Sequence, residues 1–267
     1  MNDLARALDV ALEAAKAAGK IALRHYAGDL RREQKGDGTW VTEADWAVEA
    51  QLRLRIARAF PDHNILGEEE GLTAAGGGAP VDGAPTWILD PIDGTHNYMA
   101  GIPIWATLIA LRIEGVSVLG VAHAPALGET YDAFEGGGAR MNGTKIEVSS
   151  IERIEDATFC YSNPHIFAVE GLGDLFETLS ARVWRTRGFG DFWSHLLVAR
   201  GAAHIAIEPE LALWDVAALE AIVAEAGGKL TGGTGAPWTE GQPCITTNGY
   251  LHDEVVRLAR GMPGPGD

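Results

Sequence analysis

The sequence predicts an α+β fold of layered sheets and helices, and three observations carry that reading. Runs of strand pattern alternate with runs of helix pattern, whereas a doubly wound chain would follow each strand with its own helix. Residues 103–143, "PIWATLIALRIEGVSVLGVAHAPALGETYDAFEGGGARMNG", form one long strand-rich block punctuated by glycine turns. No internal repeat and no linker interrupt the chain, so its 267 residues read as one compact unit, with a boundary near residue 145 between two halves that share a cleft.

Each element has its own local reason. Leu4, Leu8, Val10, Leu12, Ala15, Ala18, Ile21 and Ala22 recur near helical spacing, which makes residues 3–26 an amphipathic helix. "GDLRREQKGDGTW" reads as two short extended pieces around a Gly36-Asp37-Gly38 turn. Thr42-Glu43-Ala44-Asp45 opens a second helix that stops before Pro61. "HNILGEEEG" is a short strand entering an acidic turn, and "LTAAGGGAPVDGAP" reads as a surface loop. "WIL" is a buried strand that runs into Asp90-Pro91-Ile92-Asp93-Gly94-Thr95 and a helix start. In the strand-rich block, Glu114-Gly115 and Gly136-Gly137-Gly138 are hairpin turns. Further on, "TFCYSN", "RVWRTR" and "HIAIEPE" read as strands, and "DFWSHLLVARGAA" as a helix. "WDVAALEAIVAEAGG" is a helix stopped by Gly227-Gly228, and "GMPGPGD" is a frayed tail.

Composition narrows the function classes. The chain is 46% hydrophobic and 22% charged, as a globular protein should be, and its formal net charge is -16. Such an acidic chain is a poor partner for nucleic acid or an anionic membrane surface. The first twenty residues carry charges throughout, so they are neither a secretory signal nor a membrane span. Cys160 and Cys244 lack any metal-ligand spacing and read as buried thiols of a cytoplasmic protein.

Carboxylates stand at the ends of elements in four places: Asp45, Glu68-Glu69-Glu70, Asp90 with Asp93, and Asp215. Each has a modest local use. Asp45 lies three residues past Thr42 in a capping-box arrangement, and Asp215 suits the first turn of its helix. Glu68 to Glu70 fit a solvated charge run, and Asp93 fits a turn or helix cap. Together they point further, because hard cations such as Mg²⁺ need several oxygens held at fixed spacing. Asp90 and Asp93 suit two neighbouring ions, with the Ile92 carbonyl adding a backbone oxygen. The Gly94 and Thr95 amides then open a helix, where a phosphate group is welcome. Bound cations also resolve how so acidic a chain accepts a phosphate.

"LGEEEG", "WILDPIDGTHNY" and "WDVAALEAIVAEAGG", in that order and spacing, resemble the inositol monophosphatase family of Mg²⁺-dependent phosphatases, over nearly the whole chain. The resemblance implies a layered αβαβα sandwich of the inositol monophosphatase / fructose-1,6-bisphosphatase type, usually a homodimer. It implies that Glu68, Asp90 and the Ile92 carbonyl hold one Mg²⁺, that Asp90, Asp93 and Asp215 hold a second, and that a third sits near Glu68. Asp45 and Thr95 would activate the attacking water with help from Glu69, and the Gly94 and Thr95 amides would hold phosphate oxygens. Lys35 falls loosely where relatives carry a basic residue. His96, directly after Thr95, reads as an exposed helix residue or as a substrate contact.

The second half of the chain, residues 146–267, is expected to select the leaving alcohol. "RGFGDFW" followed by "EPELALWD" resembles the bacterial histidinol-phosphate phosphatases of the family more than its inositol phosphatases. L-Histidinol phosphate carries an ammonium and an imidazole, and Asp191 and Glu208 offer carboxylates for them. Glu208 would serve an inositol ligand equally well, so Asp191 is the better marker, and Arg187 is a further phosphate contact. The alternative is an inositol-1-monophosphatase or a broad-specificity sugar phosphatase.

Overall fold

Buried strands without charge interruption force the chain into layers with helices on both sides. The structure is a computed structural model that describes residues 2–26, 32–34 and 40–261. Helix α1 (Asn2–His25) is followed by a two-stranded ribbon, β1 (Arg32–Gln34) and β2 (Trp40–Thr42), and then by α2 (Glu43–Ala59). An eight-stranded sheet follows, from β3 (Asn64–Gly67), β4 (Gly71–Ala74), β5 (Thr86–Asp93), β6 (Ala106–Ile113), β7 (Val116–Ala124), β8 (Glu129–Phe134), β9 (Arg140–Met141) and β10 (Thr144–Lys145). Its order is β10-β9-β8-β7-β6-β5-β3-β4. Every pairing in it is antiparallel except β3 with β5. A short helix, α3 (Thr95–Met99), leaves the end of β5.

The second sheet is built from β11 (Thr158–Tyr161), β12 (Arg185–Gly188), β13 (Ile205–Glu208), β14 (Lys229–Gly232) and β15 (Cys244–Thr247), ordered β12-β11-β13-β15-β14. Between them come α4 (Pro164–Val169), α5 (Gly173–Arg182), α6 (Asp191–Ala199), α7 (Leu213–Glu225) and α8 (His252–Ala259). Its β11 pairs in parallel with both β12 and β13. Helices α1 and α2 cover one face of the large sheet through Ala11, Ala15, Val48, Leu52, Trp87 and Leu89. Helices α6 and α7 cover the other through Ile88, Leu108, Leu196, Leu219 and Ile222, while α4, α5 and α8 close the outside of the second sheet. The layers run α, β, α, β, α.

The expected elements fall close to their places, with instructive differences. Leu72 to Ala74, read as loop, belong to β4, which pairs antiparallel with β3 in a tight hairpin. Gly71, at a φ of 68°, makes the turn possible, and the short pairing has no apolar alternation to show in sequence. Helices α4, α5 and α8 and strands β14 and β15 had no expectation attached to them. The Gly36-Asp37-Gly38 turn, Lys35 and residues 262–267 of the tail lie outside the described residues. Among the described residues no helix is long and apolar enough to cross a membrane.

Two close contacts in the middle layer test this packing. A Cβ at Gly120 on β7 would lie 2.2 Å from the Ala218 carbonyl oxygen of α7, so helix and sheet meet backbone to backbone. Gly120→Ala is therefore expected to cost about 2 kcal/mol and to lower Tm by roughly 4–8 °C in thermal unfolding. His195 on α6 is buried, with Nδ1 bonded to Thr246 Oγ1 at 2.8 Å. Burial pushes its imidazole down from 6.5 to about 4, so the folded chain keeps it neutral while the unfolded chain protonates below about pH 6.5. Its contribution is intact above that pH and is lost as pH falls toward 4. Between these limits the stability of His195→Gln should decline by about 3 kcal/mol less than wild type, measured by denaturant unfolding.

Candidate metal and active site

The site is assembled where the ends of β3, β5, α2, α6 and α7 converge. Strand β5 alternates its side chains between the two cores: Trp87 and Leu89 face α1 and α2, while Ile88 faces α7. A regular strand would send Asp90 and Asp93 to opposite faces. The register against β6 shifts between them, since Asp90 pairs with Leu108 and Asp93 with Ala106. This bulge at Pro91 contributes one extra residue, so Ile92 returns to the α1 and α2 core and Asp93 points the same way as Asp90. Proline suits it because it has no N–H to pair, and its carbonyl accepts from Thr107 Oγ1 at 2.9 Å.

Asp215 arrives from the first turn of α7, where its Oδ2 accepts the Ala212 N–H at 2.7 Å. Asp45 does the same on α2: its Oδ2 accepts from the Thr42 amide at 2.8 Å and the Thr42 hydroxyl at 2.6 Å. The capping use expected of both residues is real. It engages one oxygen of each carboxylate and leaves Oδ1 outside the cap.

Oxygens of Asp90, Asp93 and Asp215 lie within 4.8 Å of one another. Burial and the charges of Glu68, Asp93 and Asp215 push the Asp90 carboxyl well above the usual carboxylate range. Burial and the Asp191 and Asp215 charges do the same for Asp93, although the Phe192 amide, donating to its Oδ2 at 2.7 Å, partly offsets them. Burial raises Asp215 to about 6 and Asp45 to about 7. Asp90 Oδ1 is buried with no hydrogen-bond partner. Buried carboxylates crowded together, one with an orphaned oxygen, are the donor set a hard divalent cation requires, so the residues present fit a metal.

The acidic turn after β3 brings Glu68 and Glu69 to this group, and the Glu68 charge acts on Asp90, Asp93 and Asp45. Thr95 begins α3, and its hydroxyl donates to the Ile92 carbonyl at 3.0 Å. Gly94, at a φ of 81°, caps that helix, and a Cβ there would lie 2.9 Å from the Ile104 carbonyl oxygen. His96 is exposed, as its local reading expected.

Of the alcohol-selecting residues, Asp191 and Glu208 lie close to the cluster. Gly190, not Asp191, caps α6, and Asp191 itself adopts a left-handed φ of 51°. That conformation, tolerated by Asp better than by bulkier residues, lets Asp191 Oδ2 accept from Asn97 Nδ2 at 3.1 Å while the next amide serves Asp93. Burial raises Asp191 to about 6. Glu208 is buried on β13, accepts from the Ser162 hydroxyl and leaves Oε1 unpartnered. Burial raises its carboxyl well above the usual range, and the Asp191 and Asp215 charges add to this. Arg187 is exposed and donates to the Thr186 carbonyl at 2.8 Å. It lines a cleft of about 430 Å³ with Trp184, Phe189 and Trp193, a wall that includes none of the clustered carboxylates.

Sequence reasoning passed over Glu49, Arg53, Asn97 and Ser162. Glu49 is buried on α2 and accepts from the Glu69 amide at 2.8 Å, the Glu70 amide at 3.0 Å and Arg53 Nε at 2.8 Å. In sequence, Glu49 and Arg53 look like an ordinary surface pair four residues apart. The signal that distinguishes them is the glycine at 67, where a Cβ would lie 2.2 Å from Glu49 Oε1.

The profile of the Inositol monophosphatase family matches residues 3–262. A histidinol-phosphatase from Mycobacterium tuberculosis is 43% identical over 239 residues, which is 88% of this chain and 90% of that protein. A histidinol-phosphatase from Streptomyces coelicolor is 42% identical over 242 residues, covering 87% of this chain and 88% of that protein. Among solved structures, the extragenic suppressor protein SuhB from Bartonella henselae superposes with a TM-score of 0.88 at 30% identity, over 96% of this chain and 98% of that one.

The electrostatics of the cluster set up a trade-off between stability and binding. At pH 8 in EDTA, Asp90→Asn removes one of several mutually repelling buried charges and is expected to stabilise the fold by about 1 kcal/mol or more. Wild type should gain Tm on adding a divalent cation, whereas the variant should gain far less. Thermal unfolding with and without the cation checks both signs.

Proposed function

The chain belongs to the inositol monophosphatase family, whose members are phosphoric monoester hydrolases, and from that premise we propose that it cleaves L-histidinol phosphate to L-histidinol and phosphate in histidine biosynthesis. The observation that carries this reading is the likeness, over nearly the whole chain, to two histidinol-phosphatases. The buried carboxylate of Asp191 beside the cluster supports it, because an ammonium or imidazolium on the ligand would compensate an acid whose carboxyl burial raises to about 6.

In this reading Glu68, Asp90, the Ile92 carbonyl, Asp93 and Asp215 would hold two to three Mg²⁺. Bound there, the ions supply Lewis acidity toward the phosphate oxygens and the attacking water. Asp45, its Oδ2 anchored by Thr42, accepts a proton from that water, with Glu69 nearby. Thr95 orients the water with its hydroxyl, and the Gly94 and Thr95 amides hold phosphate oxygens. Water oxygen bonds to phosphorus as the ester P–O bond breaks, the water's second proton stays on the phosphate, and the proton taken up by Asp45 is returned through solvent to the departing alcohol. Residues up to about 145 bind metal and phosphate, and residues 146–267 supply the groups that select the alcohol. Assembly as a homodimer, which rests on the family resemblance, and a cytoplasmic location belong to the same proposal.

The discriminating experiment compares kcat/KM for L-histidinol phosphate and myo-inositol 1-phosphate at saturating Mg²⁺. A preference of at least about a hundredfold for the histidinol ester is expected, the scale of two to three kcal/mol that a matched buried contact contributes. Equal rates, or a preference for the inositol ester, would remove the substrate assignment while leaving the phosphatase reading in place.

A further inference from the structure

Glu68 and Glu69 sit on the turn between two short strands at the far edge of the large sheet, where local pairing alone cannot hold a side chain to metal-site tolerance. Strands β3 and β4 have four residues each, and β4 is the terminal strand of its sheet. Position must come from elsewhere. It comes from three residues spaced four apart along α2: Asp45, Glu49 and Arg53, whose side chains lie on one face of the helix.

The second and third of these grip the hairpin from below. The Glu49 carboxylate takes the amides of both Glu69 and Glu70, through Oε2 and Oε1 respectively. Arg53 then completes the grip on the far side: Nη2 donates to the Gly71 carbonyl at 2.6 Å, Nη1 to Thr73 Oγ1 at 3.0 Å, and Nε lies 3.4 Å from Glu70 Oε2 as well as bonding Glu49. The pair thus touches Glu69, Glu70, Gly71 and Thr73 without entering the carboxylate cluster. Gly67 completes the fit, since any side chain there would occupy the space of the Glu49 carboxylate. On the strand-pairing side, the Glu68 amide is held by the Leu89 carbonyl at 3.2 Å, one residue before Asp90.

We propose that Glu49, braced by Arg53, is a positioning residue for the metal site: it fixes the acidic turn so that Glu68 meets Asp90 at the spacing a shared cation needs. The assignment rests on the reading of Glu68 as a metal ligand. Burying a charged pair is a poor way to gain stability, because desolvation consumes most of the Coulombic attraction. Its use here is geometric. Two amides and a guanidinium on one carboxylate leave the turn a single arrangement, and groups that orient ligands from behind typically change metal affinity by about 10–100-fold when removed. Helix α2 thereby acts as one ruler, with Asp45 at its start placed for the water and Glu49 a turn later placing the ligand-bearing loop.

The test uses the full chain and reads metal binding directly. In EDTA-stripped protein, Mn²⁺ titration followed by electron paramagnetic resonance gives the affinity, and hydrogen exchange reports the Glu69 and Glu70 amides. Glu49→Gln keeps the size of the side chain but presents an NH₂ to one of those amides. It is expected to lose protection at residues 69 and 70 and to bind Mn²⁺ at least about tenfold more weakly, with half-saturating Mg²⁺ for turnover rising in parallel and the loss recovered at high Mg²⁺. Glu68→Gln should weaken Mn²⁺ by a similar factor. The double variant should be little worse than either single, because both changes remove the same ligand. Should Glu49→Gln lack a cooperative unfolding transition, Arg53→Lys, which keeps the charge but loses the fork, carries the same expectations in milder form. Wild-type Mn²⁺ affinity in a folded variant whose turn amides exchange freely, or additive losses in the double variant, would overturn the proposal. Because these readouts need no substrate, they stand even if no phosphate ester is turned over.

Discussion

The repulsion among buried carboxylates is the constraint around which the rest of the molecule is arranged. Asp90, Asp93 and Asp215 bring oxygens within 4.8 Å of one another, and Glu68 and Asp191 add their charges from the sides. Left to itself such a group would protonate or push its elements apart, and the raised carboxyls express that tendency. The scaffold therefore has to supply rigidity before any ligand supplies compensation. A metal-binding site in this sense is a stored electrostatic cost, offset on binding.

The scaffold meets the constraint with ordinary local devices put to a second use. A helix N-cap appears twice, at Thr42 with Asp45 and at Ala212 with Asp215, and each time one carboxylate oxygen holds the helix start while the other lies outside the cap. A bulge at Pro91 brings two acids, three residues apart, to one face. A positive φ at Asp191 places its carboxylate on Asn97 and the following amide on Asp93. Beneath the acidic turn, the Glu49–Arg53 pair does by burial what the short β3–β4 hairpin cannot do by pairing. Stability and function compete at each of these points, which explains why so many polar groups occupy the interior.

Much of this was legible from residue types and order. Helical periodicity identified α1, start and stop signals marked α2 and α7, and the glycine turns marked the long antiparallel block from β6 to β9. The acids at Asp45, Glu68 to Glu70, Asp90, Asp93 and Asp215 stood out from their places at element ends; oxygens of Asp90, Asp93 and Asp215 lie within 4.8 Å of one another, and the Glu68 charge acts on Asp90, Asp93 and Asp45. Less legible were the segments whose role depends on what packs against them. Strand β4 has no apolar alternation because it is a short edge strand, and the exposure of Arg187 on β12 is hidden because sequence cannot show which way a strand faces. Glu49 and Arg53 drew no reading because spacing along a helix says nothing about which face is covered.

By itself the sequence determined the class of fold, because that depends on local spacing and order along the chain, and its motifs carried the resemblance that named the family and the kind of bond to be broken. Tertiary structure decided the rest. The Pro91 bulge chose which face Asp93 occupies, the left-handed turn at Asp191 brought the second half of the chain to the first, and burial by β3 and β4 turned Glu49 and Arg53 from a surface pair into a clamp. The physical reason is the same in all three. Desolvation and direction are properties of what surrounds a side chain, and its surroundings come from residues tens of positions away.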